Sequence, residues 1–227
     1  MVWIKKMNKI KDSKLKNLIK FIFEHHTRLS CISRFNNTPR IASENVAEHS
    51  YYVAFLGMLI GDYLESKGIR VDKLRLIQMA LLHDIEEAVS GDILAPIKQG
   101  MFRKVLDEEN IRNIAMLTGG LESGEKYSKL WREVVDEKTL EARIIKLVDR
   151  MSCIIYCIRE IHLGNKYFRA ILECEATSIL KYSKRIPFAT EFITEAVNYT
   201  LSYLSGDKEI YDAINKAVRV YDYVGEH

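Results

Sequence analysis

The sequence predicts an all-α fold, and three observations lead there. Only three prolines, Pro39, Pro96 and Pro187, interrupt the 227 residues. Apolar residues recur at helical spacing, first in Leu15, Leu18, Ile19, Ile22 and Phe23, then in Val53, Leu56 and Ile60. Strand-like alternation sustained over five or more residues is hard to find.

The elements follow in order. A first helix runs from about Ser13 into "EHHTRLS". The loop "SRFNNTPRIASEN" comes next, with Pro39 and paired asparagines as breakers. A second helix opens at Asn45, which forms a capping-box pattern with Glu48 three residues on. It reaches about Ser66, and Gly68 closes it. The third helix starts near Asp72 and ends close to Val89, and "SGDILAPIKQG" is then a structured loop. A helix from about Arg103 to Leu117 precedes the turn "TGGLESG". A long helix is expected from roughly Asp136 to Leu163, stopped by Gly164. Two or three more helices, split by Pro187 and Gly206, finish the chain. "TGGLESG" is the one plausible internal boundary and no repeat is present, so the expectation is a single domain over residues 1–227.

Composition narrows the function classes. A formal charge of +3 is too small to argue for nucleic acid, so none is expected as a partner. Lys5, Lys6, Lys9, Lys11, Lys14, Lys16 and Lys20 crowd the start of the chain, either as the solvated face of an amphipathic helix or as an anionic docking patch. Cys31, Cys153, Cys157 and Cys174 form no C-x-x-C pair, and Cys153 and Cys157 lie in an apolar helical stretch that suits buried thiols. The start "MVWIKKMNK" has no apolar signal region. The longest apolar run, "YYVAFLGMLIG", is too short for a bilayer. No membrane association is expected, and a reducing cytoplasm fits.

The chemistry gathers in "ALLHDIEEAVSGD", Ala80 to Asp92, where an apolar helix ends in a histidine and several carboxylates. Buried charge is costly unless paired or bound to a metal. His49 continues the inward stripe of Val53, Leu56 and Ile60, at the fourth helical position after Asn45. The positive end of the helix dipole there disfavours imidazolium and leaves the neutral ring a metal needs. His83 shares an inward face with Met79, Ala80 and Glu87. Asp84 is rotated about 100° from it on a helix. Asp149 sits in apolar "IIKLVDRMSCIIYC", on a face with Ile145, Lys146, Ser152 and Cys153. One cation bound by His49, His83, Asp84 and Asp149 would satisfy all four, and mixed imidazole and carboxylate ligands suit manganese, cobalt, nickel, iron or zinc. Blander readings stand beside this one. An inward histidine is commonly a hydrogen-bonded core residue, and Asp149 could pair with Arg143 or Arg150. His25 and His26 read as surface or helix-end residues, His162 as a helix C-terminal residue and His227 as a tail.

The ordered set "ENVAEHS", "ALLHDIEEAVSGD" and "KLVDRM" resembles the HD-domain metal-dependent phosphohydrolases. The nearer likeness is to the branch of the bacterial 5'-deoxynucleotidases (YfbR-type) and their HD domain-containing protein 2-like relatives, from about Ser33 to Asp149. The resemblance implies a helical bundle with its metal-site core at about 30–165 and helices 166–227 packed on it. It also implies one divalent metal ion, a nucleotide substrate and a homodimer. Carried over residue by residue, His49, His83, Asp84 and Asp149 match the metal ligands, and Glu87 the glutamate beside the catalytic water. Asp92 matches the aspartate near sugar and phosphate, and Arg34 the phosphate arginine. Taken alone, Arg34 reads equally as a surface salt bridge, Glu87 as a solvated helix end and Asp92 as a turn cap. Lys98 adds phosphate charge or is a surface lysine. One departure matters: the family's tryptophan after the phosphate arginine is Phe35 here, a smaller ring that leaves room for a 2'-hydroxyl. The expected activity is release of phosphate from nucleoside 5'-monophosphates. Triphosphates, cyclic nucleotides or alarmones are alternative substrates, and non-catalytic nucleotide binding is a third reading.

Overall fold

The structure, a computed structural model, describes residues 12–93, 102–184, 186, 188–204 and 206–225. Lys5, Lys6, Lys9, Lys11, Pro96, Lys98, Pro187 and His227 lie outside them. Among the described residues the regular structure is helical, as expected, with one isolated antiparallel bridge between Ser33 and Asn45. The helices are α1 (Ser13–Glu24), α2 (Val46–Ser66), α3 (Lys73–Leu82), α4 (Glu87–Ser90), α5 (Arg103–Thr118), α6 (Gly124–Val135), α7 (Leu140–His162), α8 (Phe168–Ser183), α9 (Ala189–Tyr203) and α10 (Lys208–Gly225). None is long and apolar enough to cross a membrane.

Helix α2 begins where the capping box places it. The Asn45 side chain accepts from the Glu48 N–H at 2.9 Å, and Glu48 Oε2 accepts from the Asn45 N–H at 3.0 Å. Such a cap contributes about 1 kcal/mol and fixes the first turn. That turn sets the rotation of His49, which is fully buried.

Helix α7 is the axis of the molecule. Ile144, Ile145, Leu147 and Val148 are all fully buried. Val148 joins the apolar cluster built from α2, α3 and α6, with Val53, Leu64, Leu76, Met79 and Leu130. Its neighbour Leu147 joins a second cluster with α8, α9 and α10, including Phe168, Leu172, Ile193 and Ile210. Each such aliphatic side chain contributes about 1.5–3 kcal/mol when fully buried. A helix gripped on both sides holds its polar positions still, and Asp149 is the next residue along.

Three expectations need correction. The third helix does not run to Val89. It stops at Leu82, and a turn carries His83 to Glu86 before the short α4. His83 Nδ1 donates to Ala80 O at 2.7 Å, the carbonyl that a continuing helix reserves for the Asp84 N–H. Tighter bonds follow, Ile85 N–H to Leu82 O at 3.2 Å and Glu87 N–H to Asp84 O at 3.1 Å. The long helix starts at Leu140, capped by Thr139, rather than near Asp136. Residues 124–135 form α6, which the reading above omits. Its stripe of Tyr127, Leu130, Trp131 and Val134 is helical in period, and Leu130, Trp131 and Val134 are buried. The stripe of α1, by contrast, is in place but uncovered, with none of its residues buried.

The loop between the 3-10 turn (Arg28–Cys31) and α2 is nailed to α7 from below. Glu160, with no exposed surface, accepts from the Ile41 N–H at 2.9 Å and the Ala42 N–H at 2.6 Å. Asn165 Nδ2 donates to Glu160 at 2.6 Å and to Pro39 O at 2.8 Å, and the Tyr156 hydroxyl donates to Ala42 O at 2.6 Å. Burial pushes the Glu160 carboxyl up, but the Ile41 N–H, Asn165, the Ala42 N–H and Tyr156 together hold it below its ordinary 4.5. A depressed carboxyl stabilises the fold fully above its unfolded value, and that contribution is lost as pH falls through the folded value. Glu160→Ala, which strands two buried N–H donors, is expected to cost about 2–4 kcal/mol in urea unfolding at pH 7. The deficit should shrink as pH falls below 4.5 and through the lower folded value; an unchanged unfolding midpoint would show that the clamp contributes nothing.

Candidate metal centre

Helices α2 and α7 and the turn after α3 bring their polar residues to one point. His49 Nε2 lies 3.1 Å from Asp149 Oδ1 and 3.7 Å from Asp84 Oδ2. His83 Nε2 lies 3.1 Å from Asp84 Oδ2 and 3.3 Å from His49 Nε2. His49, His83 and Asp149 form the one group of three or more His, Cys, Asp or Glu donors spaced for a metal ion among the described residues. Asp84 closes on both imidazoles from the turn. Both histidines are buried, while the carboxylates of Asp84 and Asp149 keep 20% and 30% of their surface open, so the cluster has an accessible side.

The far edges of the rings fix which nitrogen looks inward. His83 Nδ1 is used by Ala80 O, so the neutral ring presents the Nε2 lone pair to the cluster. His49 Nδ1 lies 3.3 Å from Ser152 Oγ, one turn along α7 from Asp149, which turns His49 Nε2 the same way. Burial first, then the nearby Arg34 charge, lowers His49 to about 4 against the pull of Asp149, so its ring is neutral at pH 7. Burial also works to lower His83, but Asp84 and Asp149 outweigh it and raise the ring to about 9. Burial would raise Asp149; His49 and His83 reverse that and hold it well below the usual carboxylate range.

Two lone pairs 3.3 Å apart repel unless positive charge sits between them. A proton on His83 supplies it in the metal-free protein; a divalent ion does so more completely. Donors about 2.0–2.2 Å from one ion lie about 3 Å or somewhat more apart, which these separations meet. Two neutral imidazoles and two carboxylates also carry the −2 that balances such an ion. The donor set fits a divalent metal.

The alternative partners of Asp149 are engaged elsewhere. Arg150 donates to Glu175 at 3.0 Å and Arg143 to Glu137 O at 3.2 Å. Glu87 is not a solvated helix end: it is 2% exposed and opens α4 just past the His83–Asp84 turn. Arg34 is not a surface salt bridge either. Its side chain is 13% exposed, and Nη1 donates to buried Glu44 at 2.5 Å. Asp92 caps across the loop, with Oδ2 accepting from the Phe35 N–H at 3.1 Å and its carbonyl from Asn36 Nδ2 at 3.3 Å. This bond holds Phe35 at φ 52°, a conformation non-glycine residues rarely adopt. The Phe35 ring stacks on Tyr156 at 4.9 Å and meets the edge of Phe168 at 5.2 Å.

Other contributors were not singled out by the sequence. Glu44 and Glu160 make their contacts through the fold. Trp131 Nε1 donates to buried Glu86 at 2.7 Å, so α6 pins the turn that carries His83 and Asp84. His25 and His26 stay away from the cluster, and His162 lies 3.1 Å from Asp207 at the end of α7.

Comparisons with known proteins find relatives along most of the chain. A 5'-deoxynucleotidase of Photorhabdus laumondii subsp. laumondii is 27% identical over 190 residues, 82% of this chain and 96% of that protein. An HD-domain phosphohydrolase from Listeria innocua superposes with a TM-score of 0.75 at 23% identity, over 90% of this chain and 98% of that one. A predicted metal-dependent phosphohydrolase from Magnetospirillum magnetotacticum MS-1 gives 0.57 at 26% identity, over 82% and 97%. The family model described as 5'-deoxynucleotidase YfbR-like matches residues 21–200, through all three segments that carry the cluster, and the chain belongs to that family.

Proposed function

We propose that this protein releases phosphate from nucleoside 5'-monophosphates, ribo as well as deoxyribo, with one divalent transition ion held by His49, His83, Asp84 and Asp149. The observation that carries the reading is the convergence of two imidazole Nε2 atoms and two carboxylates, with the guanidinium of Arg34 joined to the same group through Glu44. Manganese, cobalt, nickel, iron and zinc all suit such a donor set. A bound ion would acidify a water and draw charge from a phosphoryl oxygen.

The chain's own groups supply the rest. Glu87, shielded from solvent, orients the attacking water and takes its proton on a carboxylate oxygen, and passes a proton to the departing 5'-oxygen as its bond to phosphorus breaks. Arg34 grips the non-bridging phosphate oxygens with Nε and Nη2, since Nη1 is engaged by Glu44. Asp92 acts at the sugar end of the substrate while its Oδ2 holds the Phe35 N–H. The Phe35 ring is packed into the core against Tyr156 and Phe168, which supports tolerance of a 2'-hydroxyl. The reading includes a cytoplasmic homodimer. Exposed free thiols at Cys31 and Cys174 suit a reducing compartment, and the uncovered apolar faces of α1 and of Tyr51, Phe55 and Leu59 on α2 offer dimer surface.

Three results are expected. Metal analysis of His83→Ala and Asp84→Ala should find the ion gone, with phosphate release from 5'-dAMP abolished; full turnover by metal-free Asp84→Ala would refute the reading. Glu87→Ala should keep the ion yet lose about 10²–10⁴-fold in kcat. An unchanged kcat would remove Glu87 from the chemistry. Across a panel of mono-, di-, tri- and cyclic nucleotides, 5'-AMP and 5'-dAMP should be hydrolysed within about tenfold of each other in kcat/KM, which is a difference of about 1.4 kcal/mol. A strong preference for triphosphates or cyclic nucleotides would move the substrate class, and binding without phosphate release would remove the catalytic reading.

A further inference from the structure

We propose that Glu44 is a positioning residue for phosphate recognition, holding the Arg34 guanidinium over the substrate side of the cluster. The proposal rests on the assignment of Arg34 to the phosphate. Local structure brings the pair together across ten residues of sequence. The Ser33–Asn45 bridge zips the two ends of the loop, with the Arg34 N–H donating to Glu44 O at 3.0 Å and the Val46 N–H to Ile32 O at 3.0 Å. The two side chains then meet, Nη1 on Oε1 at 2.5 Å, with 13% and 6% of their surfaces exposed.

Glu44 is placed to back the site rather than to join it. Its Oε1 lies 4.0 Å from His49 Nδ1, the ring edge opposite the Nε2 that faces His83 and Asp149. It therefore stands 4.0 Å behind a proposed metal ligand and bonds directly to a proposed phosphate ligand. An arginine has four rotatable side-chain bonds, and a free one reaches phosphate in many ways. A buried carboxylate on Nη1 narrows those orientations and leaves Nε and Nη2 as the remaining donors. Removing one member of a buried pair also leaves the other uncompensated, so the two act as a unit. Burial pushes the Glu44 carboxyl up and the Arg34 charge opposes that, which is the same mutual dependence in electrostatic terms.

A double-mutant cycle separates positioning from mere packing. Steady-state hydrolysis of 5'-dAMP and metal content are measured for the parent, Arg34→Ala, Glu44→Ala and the double variant. Each single change should lower kcat/KM at least about tenfold, mainly through KM, and the double should fall within about twofold of Arg34→Ala. All four should hold one ion per chain, and Glu44→Gln, which keeps the acceptor oxygen, should stay within about threefold of the parent. Should Glu44→Ala fail to fold, Glu44→Asp, whose carboxylate is withdrawn by one methylene, takes its place in the cycle with the same expectation. Multiplicative losses, an unchanged kcat/KM in the Glu44 variant, or loss of the ion on removing Glu44 would overturn the proposal while leaving Arg34 its role. An unchanged kcat/KM in Arg34→Ala would overturn the Arg34 assignment and the proposal with it.

Discussion

Everything in this molecule bears on one electrostatic constraint: two buried imidazole nitrogens, lone pairs inward, are held 3.3 Å apart between two aspartates. Positive charge among the four offsets the repulsion of those lone pairs and aspartates, and a fold that evolved only to be stable would place apolar side chains instead. The neighbouring Arg34–Glu44 pair is neutral overall, and a divalent ion would balance the two aspartates among its ligands before a phosphate dianion arrives. The proposed reaction uses that balance.

The fold keeps the four groups together by fixing each from outside. Helix α7 carries Asp149 and Ser152 and is packed on both sides, through Val148 into one apolar cluster and Leu147 into the other. The capping box sets the register of α2 and so the direction of His49. The turn bearing His83 and Asp84 is held by the bond from His83 to Ala80 and by Trp131 on Glu86. The loop bearing Arg34 and Phe35 is tied to α7 by Glu160 and Tyr156 and to the far side of the site by Asp92. The ties from Glu160, Tyr156, His83 and Glu86 are buried polar groups with partners, the form in which polarity is tolerated inside a protein.

Much of this was legible in the sequence because it is local. The Asn45–Glu48 cap and the His49, Val53, Ile60 stripe are periodic signals within two or three turns, and both stand. The end of α3 was misread because "HDIEEAV" has no glycine or proline to mark a stop; the break comes from the His83 ring competing for a backbone carbonyl. Helix α6 carries its period in only a few apolar residues, Leu130, Trp131 and Val134 among them, set between Glu125, Lys126, Lys129, Arg132 and Glu133, and it starts without a side-chain cap, so its signal is weak. Glu44 and Glu160 look like surface glutamates in one dimension. Glu160 meets the Ala42 N–H across 118 residues, and no spacing rule reaches that far. The exposed stripe of α1 shows the reverse limit, since amphipathic pattern tells which face is apolar and not what covers it.

Family membership and geometry converge on hydrolysis of phosphate esters of nucleotides, and what this chain adds is its own detail: Phe35 packed inward, and a glutamate behind the arginine. All of it depends on a single ion in the cluster. X-ray absorption at the edge of the metal that co-purifies tests this most directly. The account predicts one ion per chain with two imidazole nitrogens and otherwise oxygen donors, and no bound ion in a His49→Ala, His83→Ala protein. An ion with sulfur or no imidazole in its shell, or full turnover by protein holding no ion, would contradict it.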